Sequence, residues 1–266
     1  MAPSGKAIMP NLDAFLASPS FFLVLIVMII AALAHGTLGF GFPVISTPVI
    51  AMMTDIKTAI LTTLFPNIVI NLVSIIKGGN WRLSIGKYWT VAVYVLIGTV
   101  AGTHVLIAAD PEPLKLLLAL MIVVYLQQAR FRKLDWSWLN RHPRASAPLF
   151  GLLAGFLSGT VNVAVPPLVI YFMALGLGSL AMTQILNLCF LVGKTTQAVT
   201  FGISGQIGLT TLIATAPLTV ISVAALLFGM RIQSRIHPEV YQGLLRKVLW
   251  VMALILAAQV GWHYLI

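Results

Sequence analysis

A lysine stands in the middle of an apolar run. Lys194 falls within SLAMTQILNLCFLVGKTTQAVTFG, residues 179–202. On a helix rising 1.5 Å per residue it lies about 20 Å from Leu180 and about 10 Å from Phe201. A charge that deep in hydrocarbon costs at least ~2.5 kcal/mol, so it ordinarily faces a cavity or a pathway. The simpler alternative is a side chain that snorkels to the interface. If it faces a cavity, its chemistry is that of a fixed cation awaiting an anion. Gln184 and Asn187 share its helical face. Asn67, Asn71 and Ser74 form a second polar stripe at i, i+4 and i+7. The two stripes are expected to line one cavity, although interhelical hydrogen bonding alone would also account for them.

Two glycine- or asparagine-bearing breaks, HGTLGFGFP (35–43) and SGTVNVAVP (158–166), supply backbone chemistry. Pro43 and Pro166 suit the first turn of a following helix, where a missing N–H costs nothing. Free amides at such a start attract anions. The candidate substrate-binding residues are therefore Gly36, Thr37, Gly39, Phe40 and Gly41 at the first break. At the second they are Ser158, Gly159, Thr160, Asn162 and Val163. Lys194, Asn67, Asn71 and Asn187 join them. Close helix packing through the glycines is the competing explanation. His35 borders the first break and is a candidate for proton linkage, or a packed neutral histidine.

Other chemistries lack their residues. Asp13, Asp55, Asp110, Glu112, Asp135 and Glu239 all fall in loops or at segment ends, so no carboxylate cage for sodium or protons is visible. The chain has no P-loop, HExxH or GxSxG, and Ser158 with His35 is the one pairing worth naming for an enzyme. The single cysteine, Cys189, excludes an intrachain disulfide and reads as core packing. No cofactor, metal site or catalytic residue is expected.

The elements that must position these residues are membrane helices. Of 266 residues, 59% are hydrophobic and 8% charged, a balance that a soluble domain could not bury. Apolar segments run at about 21–36, 42–54, 57–77, 84–107, 112–129, 147–160, 164–177, 180–203, 207–230 and 240–263. Six are long enough to span; 21–36, 42–54, 147–160 and 164–177 are short and paired. Residues 1–19 do not read as a cleaved signal peptide. The net charge of +10 comes from loop lysines and arginines that set topology rather than bind nucleic acid.

The order of segments repeats. At an offset of 123, Gly36, Thr37, Pro43 and Gly79 fall on Gly159, Thr160, Pro166 and Gly202. At an offset of 127, Gly102, Pro111 and Glu112 fall on Gly229, Pro238 and Glu239. The organisation expected is an N-terminal segment (1–19), a first repeat (20–130), a cytoplasmic basic linker (131–146) and a second repeat (147–266). Positive-inside counting puts Lys77, Arg82 and Lys87, the linker's Arg130, Arg132, Lys133, Arg141 and Arg144, and Arg231 with Arg235 on the cytoplasmic side. Both termini then lie outside. An odd number of crossings per repeat inverts the second against the first. The fold class is an all-α polytopic membrane protein of two inverted repeats. Each holds a pair of short helices broken near the midplane plus three full spans.

The runs AHGTLGFGFPVISTPVIAMM (34–53) and GLLAGFLSGTVNVAVPPLVIYFMALGLG (151–178) resemble the TauE/SafE sulfite-exporter family, also called the 4-toluene sulfonate uptake permease family. The family's glycine-rich break and downstream proline fall on Gly36, Gly39, Gly41 and Pro43, then on Gly159 and Pro166. Asn162, Val163 and Ala164 depart from a more glycine-rich second break. The resemblance implies transport of sulfite, thiosulfate or organosulfonates across the bacterial inner membrane. An anion channel, or a permease for carboxylates or other organic anions, is the alternative. The expected partners are a small anion and the lipid bilayer, and the small-residue faces allow a homodimer.

Overall fold

The computed structural model describes residues 19–79, 81–127, 130, 135–233 and 238–265. The N-terminal segment before Pro19, Arg132 and Lys133 of the linker, and Arg235 lie outside the described residues. Among the described residues all regular structure is helical. The helices are α1 (Pro19–Leu38), α2 (Phe42–Met53), α3 (Ile56–Lys77), α4 (Trp81–Ala108), α5 (Pro111–Leu126), α6 (Ser137–Arg141), α7 (Pro143–Val161), α8 (Val165–Ala174), α9 (Ser179–Ile203), α10 (Leu209–Ile232) and α11 (Pro238–Leu265).

Each apolar segment read from the sequence corresponds to one of these helices. α6 was not expected. It starts in the polar linker, where the Asp135 carboxylate accepts the Ser137 N–H at 2.8 Å and organises the first turn. A stronger cap starts α3: Asp55 accepts from the N–H groups of Lys57 (2.8 Å) and Thr58 (3.0 Å).

The span lengths differ from expectation. Among the described residues, four helices are long and apolar enough to cross a membrane: Ser20–Leu38, Ile56–Lys77, Tyr88–Ala108 and Leu209–Ile232. The first was read as a short segment ending at 36, yet α1 has 20 residues. Helical bonding carries on through His35, whose carbonyl accepts the Gly39 N–H at 2.7 Å, and Gly39 then leaves the helix at φ 84°. α5 is the reverse case: it stops at Leu126 after 16 residues. α9 has length to spare at 25 residues, but its buried Gln184, Asn187, Lys194 and Gln197 lower its hydropathy. α11 runs for 28 residues, Pro238–Leu265, and covers the expected segment 240–263.

Apolar side chains occupy both the inside and the outside of the bundle. Phe42, Leu64, Phe172 and Phe201 are buried, while Phe22, Ile203, Val220 and Phe228 are exposed on the perimeter. That outer surface suits lipid rather than water. Trp138, Phe150 and Tyr171 stack in sequence, with ring centroids 6.4 and 5.5 Å apart, where α6 meets α7 and α8. Such amphipathic rings favour a membrane interface.

Helix packing runs across the two halves of the chain. α1 packs on α10 and α7 on α4; α4 packs on α9 and α10 on α3; α3 meets α9 and α5 meets α11. Glycines bring the first two pairs to backbone distance. A Cβ on Gly36 would lie 2.4 Å from the Leu226 carbonyl oxygen, and one on Gly102 would lie 2.2 Å from that of Phe156. Along the second crossing, Gly151 faces Val91 and Tyr94, Gly155 faces Val95 and Thr99, and Gly159 faces Thr99 and Thr103. Both numberings rise together, so α4 and α7 run parallel and begin on the same face of the bundle.

Candidate functional site

Two broken helix pairs, α1–α2 and α7–α8, carry most of the residues singled out from sequence. Gly39 (φ 84°) ends α1 and Asn162 (φ 62°) ends α7, both left-handed and 123 positions apart. Asn162 is the one non-glycine residue among the described ones at positive φ. Asparagine tolerates that conformation better than other side chains, and at the end of a helix it satisfies the same geometry as glycine.

α9 provides the polar partners for both breaks. Asn187 Nδ2 donates to the Gly39 carbonyl at 2.8 Å. Further along, Lys194 Nζ donates to the Ser158 carbonyl at 3.1 Å, and Gln197 Nε2 donates to the Gly159 carbonyl at 2.8 Å. Lys194 also donates to Gln197 Oε1. Nearer its start, Gln184 Nε2 donates to the Gly78 carbonyl at 2.9 Å and to that of Gly79. The polar stripe thus serves the C-terminal ends of α1, α3 and α7, whose last carbonyls have no intrahelical donor. A cation at the end of α7 also opposes the negative end of its dipole. Gln197 escaped the sequence reading, although it continues the same stripe three residues beyond Lys194.

Different parts of α9 serve the two breaks. Asn187 and Lys194 are seven residues apart, about 10 Å along α9. Around the first break, Phe42 N–H points at His35 Nδ1 (3.4 Å), which leaves the ring proton on Nε2, facing Asn187 Oδ1 (3.0 Å) and Ser74 Oγ (3.2 Å). His35 is therefore held in one neutral tautomer with both nitrogens engaged. At the second break, Asn162 Nδ2 donates to Thr47 Oγ1 (2.7 Å) and Thr63 Oγ1 (3.2 Å). Between the breaks, Asn71 Nδ2 donates to the carbonyl (2.7 Å) and to Oδ1 (2.6 Å) of Asn67.

Several buried polar atoms there have no partner. Asn67 Nδ2, Asn71 Oδ1, Asn162 Oδ1 and Thr62 Oγ1 are sealed from solvent and unbonded. Such groups call for water or a ligand. Lys194 is 2% exposed, and among the described residues no carboxylate pairs with it. Among the described residues the one ion pair is Lys115–Glu112 at 3.2 Å.

Other expected donors are already engaged. Thr37 Oγ1 donates to the Ala34 carbonyl (3.0 Å) and Thr160 Oγ1 to that of Phe156 (2.9 Å). Gly36 and Gly159 sit at the helix crossings. A Cβ added at Gly41 would meet nothing within 4 Å, so a larger residue there is opposed by its φ of 116° rather than by crowding. Phe40 is partly buried beside it, and Val163 is fully buried.

A cavity of about 1000 Å³ reaches the first break. The end of α1, the C-terminal turns of α3 and α10 and the first turn of α9 enclose it. Gly36 and Ser74 are buried at its base, and Lys77 and Arg231 are exposed at its rim. Sequence reading took those two cations as topology signals only, because nothing local reveals that separate helix ends converge. Among the described residues no group of three metal-ligating side chains comes together.

A helical bundle with a lipid-suited perimeter, a cavity lined by cations and a buried lysine is a multi-pass membrane protein of the transporter class. The family model described as Sulfite exporter TauE/SafE matches residues 24–260, and the chain belongs to that family. Its members are membrane transporters of sulfur anions rather than enzymes. No curated protein and no solved structure matches the chain.

Proposed function

We propose that this chain is a secondary transporter that moves small sulfur-containing anions, namely sulfite, thiosulfate or an organosulfonate, across the bacterial inner membrane by alternating access. The observation that carries this reading is Lys194, buried beside a helix break and, among the described residues, without a carboxylate partner. A cation at such depth is costly unless something anionic visits it. One of its three ammonium protons remains for that visitor, since the other two bond Ser158 and Gln197. Asn67 Nδ2 is a second free donor in the same region. The substrate crosses between the two breaks, past Asn67, Asn71 and Asn162.

The pairing of α1 with α10 and of α7 with α4 supports two repeats, 20–130 and 147–266, related by a pseudo-two-fold axis. The parallel course of α4 and α7 supports the charge-derived topology, since both follow basic loops. On that topology the cavity opens to the cytoplasm and both termini are outside. Lys77 and Arg231 would gather anions at its mouth, as like-signed charges in a cleft do.

The test is flux in proteoliposomes, preceded by a thermal-shift panel of sulfite, thiosulfate, short sulfonates and matched carboxylates. Saturable uptake of a sulfur anion, driven by a gradient, is the expected result. Stabilisation by carboxylates alone would move the substrate class, and unsaturable conductance would make the protein a channel.

A further inference from the structure

The lining of the cavity at the first break has a counterpart in the other half of the sequence. Carrying its lining across the repeat offsets gives a second set of residues. Gly36, Gly39, Ser74 and Lys77 correspond at 123 to Gly159, Asn162, Gln197 and Thr200. Leu180 corresponds at the same offset to Lys57, and Arg231 corresponds at 127 to His104. In the open half, the cavity separates the start of α9 from the end of α10. In the other half the equivalent ends are joined by a hydrogen bond: Lys57 Nζ donates to the Ile107 carbonyl at 3.1 Å. At the base of this set, Gln197 is bonded to Gly159 and Asn162 to Thr47 and Thr63.

We infer that these residues form a second anion vestibule, on the face bearing Asp55 and Asp110, which the Lys57–Ile107 bond latches shut in this state. The inference rests on the alternating-access reading and adds to it the identity of the outer path and its gate. When α3 and α4 part, the Lys57 ammonium leaves the carbonyl and becomes the cation at the outer mouth. There it does for an incoming small oxyanion what Lys77 and Arg231 do at the inner one. His104, exposed on α4 with Nδ1 bonded to the Val100 carbonyl at 2.8 Å, stands where Arg231 stands in the other half. The outer mouth thus holds one permanent cation where the inner has two. The duplication, the matched left-handed residues at 39 and 162 and the paired glycine crossings support the correspondence independently of any one contact.

The experiment uses single-cysteine reporters and a charged, membrane-impermeant methanethiosulfonate, applied to sealed vesicles of each orientation. Native Cys189 is 0% exposed and stays silent. Thr183→Cys reports the open cavity and Thr200→Cys the latched one. Replacing Lys57 by Gln removes a charge-assisted hydrogen bond. It should raise the ratio of Thr200→Cys to Thr183→Cys labelling about tenfold or more, while Lys57→Arg keeps the original ratio. An unchanged ratio in a Lys57→Gln protein that is monodisperse and still labels at Thr183→Cys overturns the latch. With Lys57 intact, Thr200→Cys must still react slowly from the Asp55 face as the protein cycles. Complete protection during sustained flux overturns the outer vestibule while leaving the transport function standing. Alternating labels without flux of any sulfur anion would do the opposite, removing the substrate assignment and keeping the two vestibules.

Discussion

Replacing Lys194 by glutamine separates two roles that the structure superimposes on one side chain. The lysine caps α7 through the Ser158 carbonyl, and it is a buried cation with a proton to spare. Glutamine keeps a donor for Ser158 and removes the charge. Its stability cost is a balance. Weakening two charge-assisted bonds, to Ser158 and Gln197, sacrifices a share of roughly 1.5–3 kcal/mol each. Removing a charge from the membrane interior returns about 2.5–3.5 kcal/mol. The net change is within about 2 kcal/mol, so Lys194→Gln should insert, purify and melt near the parent chain. Anion recognition has no such offset. Loss of a charged donor costs roughly 1.5–3 kcal/mol of binding, a ten- to hundredfold rise in Kd. The assay is paired: thermal unfolding in detergent, and uptake of radiolabelled sulfite or thiosulfate into proteoliposomes. Lys194→Arg should retain part of the flux, since charge persists while shape changes. Parent-level flux in Lys194→Gln would mean that the lysine is only a helix cap and that the anion binds elsewhere.

Three further outcomes follow from the geometry. Gly102→Ala forces a Cβ to 2.2 Å from the Phe156 carbonyl and should lower the apparent Tm by about 5 °C or more, whereas Gly202→Ala, with open space around it, should not; equal melting points would mean that the α4–α7 crossing yields easily. Asn187→Leu strips the Gly39 carbonyl of its donor and His35 of its partner. It should cost about 1–3 kcal/mol for each group left unpaired and slow transport, measured by denaturation and flux together; a neutral result would show that the first break supports itself. Neutralising Lys77 and Arg231 to Gln should reduce flux at low ionic strength and flatten its salt dependence, because at ~0.1 M salt exposed charges act only over about 10 Å; a salt response identical to the parent's would remove them from the entry path.

Local chemistry made much of this protein legible from its sequence. Runs of apolar residues bounded by glycine, proline and charge placed the long helices to within a few residues, because a bilayer leaves the backbone no alternative to helix. The turn after α1 was foreshadowed by Gly39 and Gly41, residue types that tolerate positive φ. That Lys194 lies well inside a helix, away from both of its ends, followed from counting alone. What the sequence left open depends on which helix ends come together. That the α9 stripe reaches the ends of three other helices, so that Lys194 serves Ser158 and Gln197 serves Gly159, is a consequence of packing between segments about 36 residues or more apart. That Lys77 and Arg231 rim one cavity while Lys57 closes its counterpart is decided the same way. A sequence with two similar halves is compatible with either vestibule being open. The choice lies in tertiary contacts whose energies differ by a few hydrogen bonds, and periodicity carries no record of that difference.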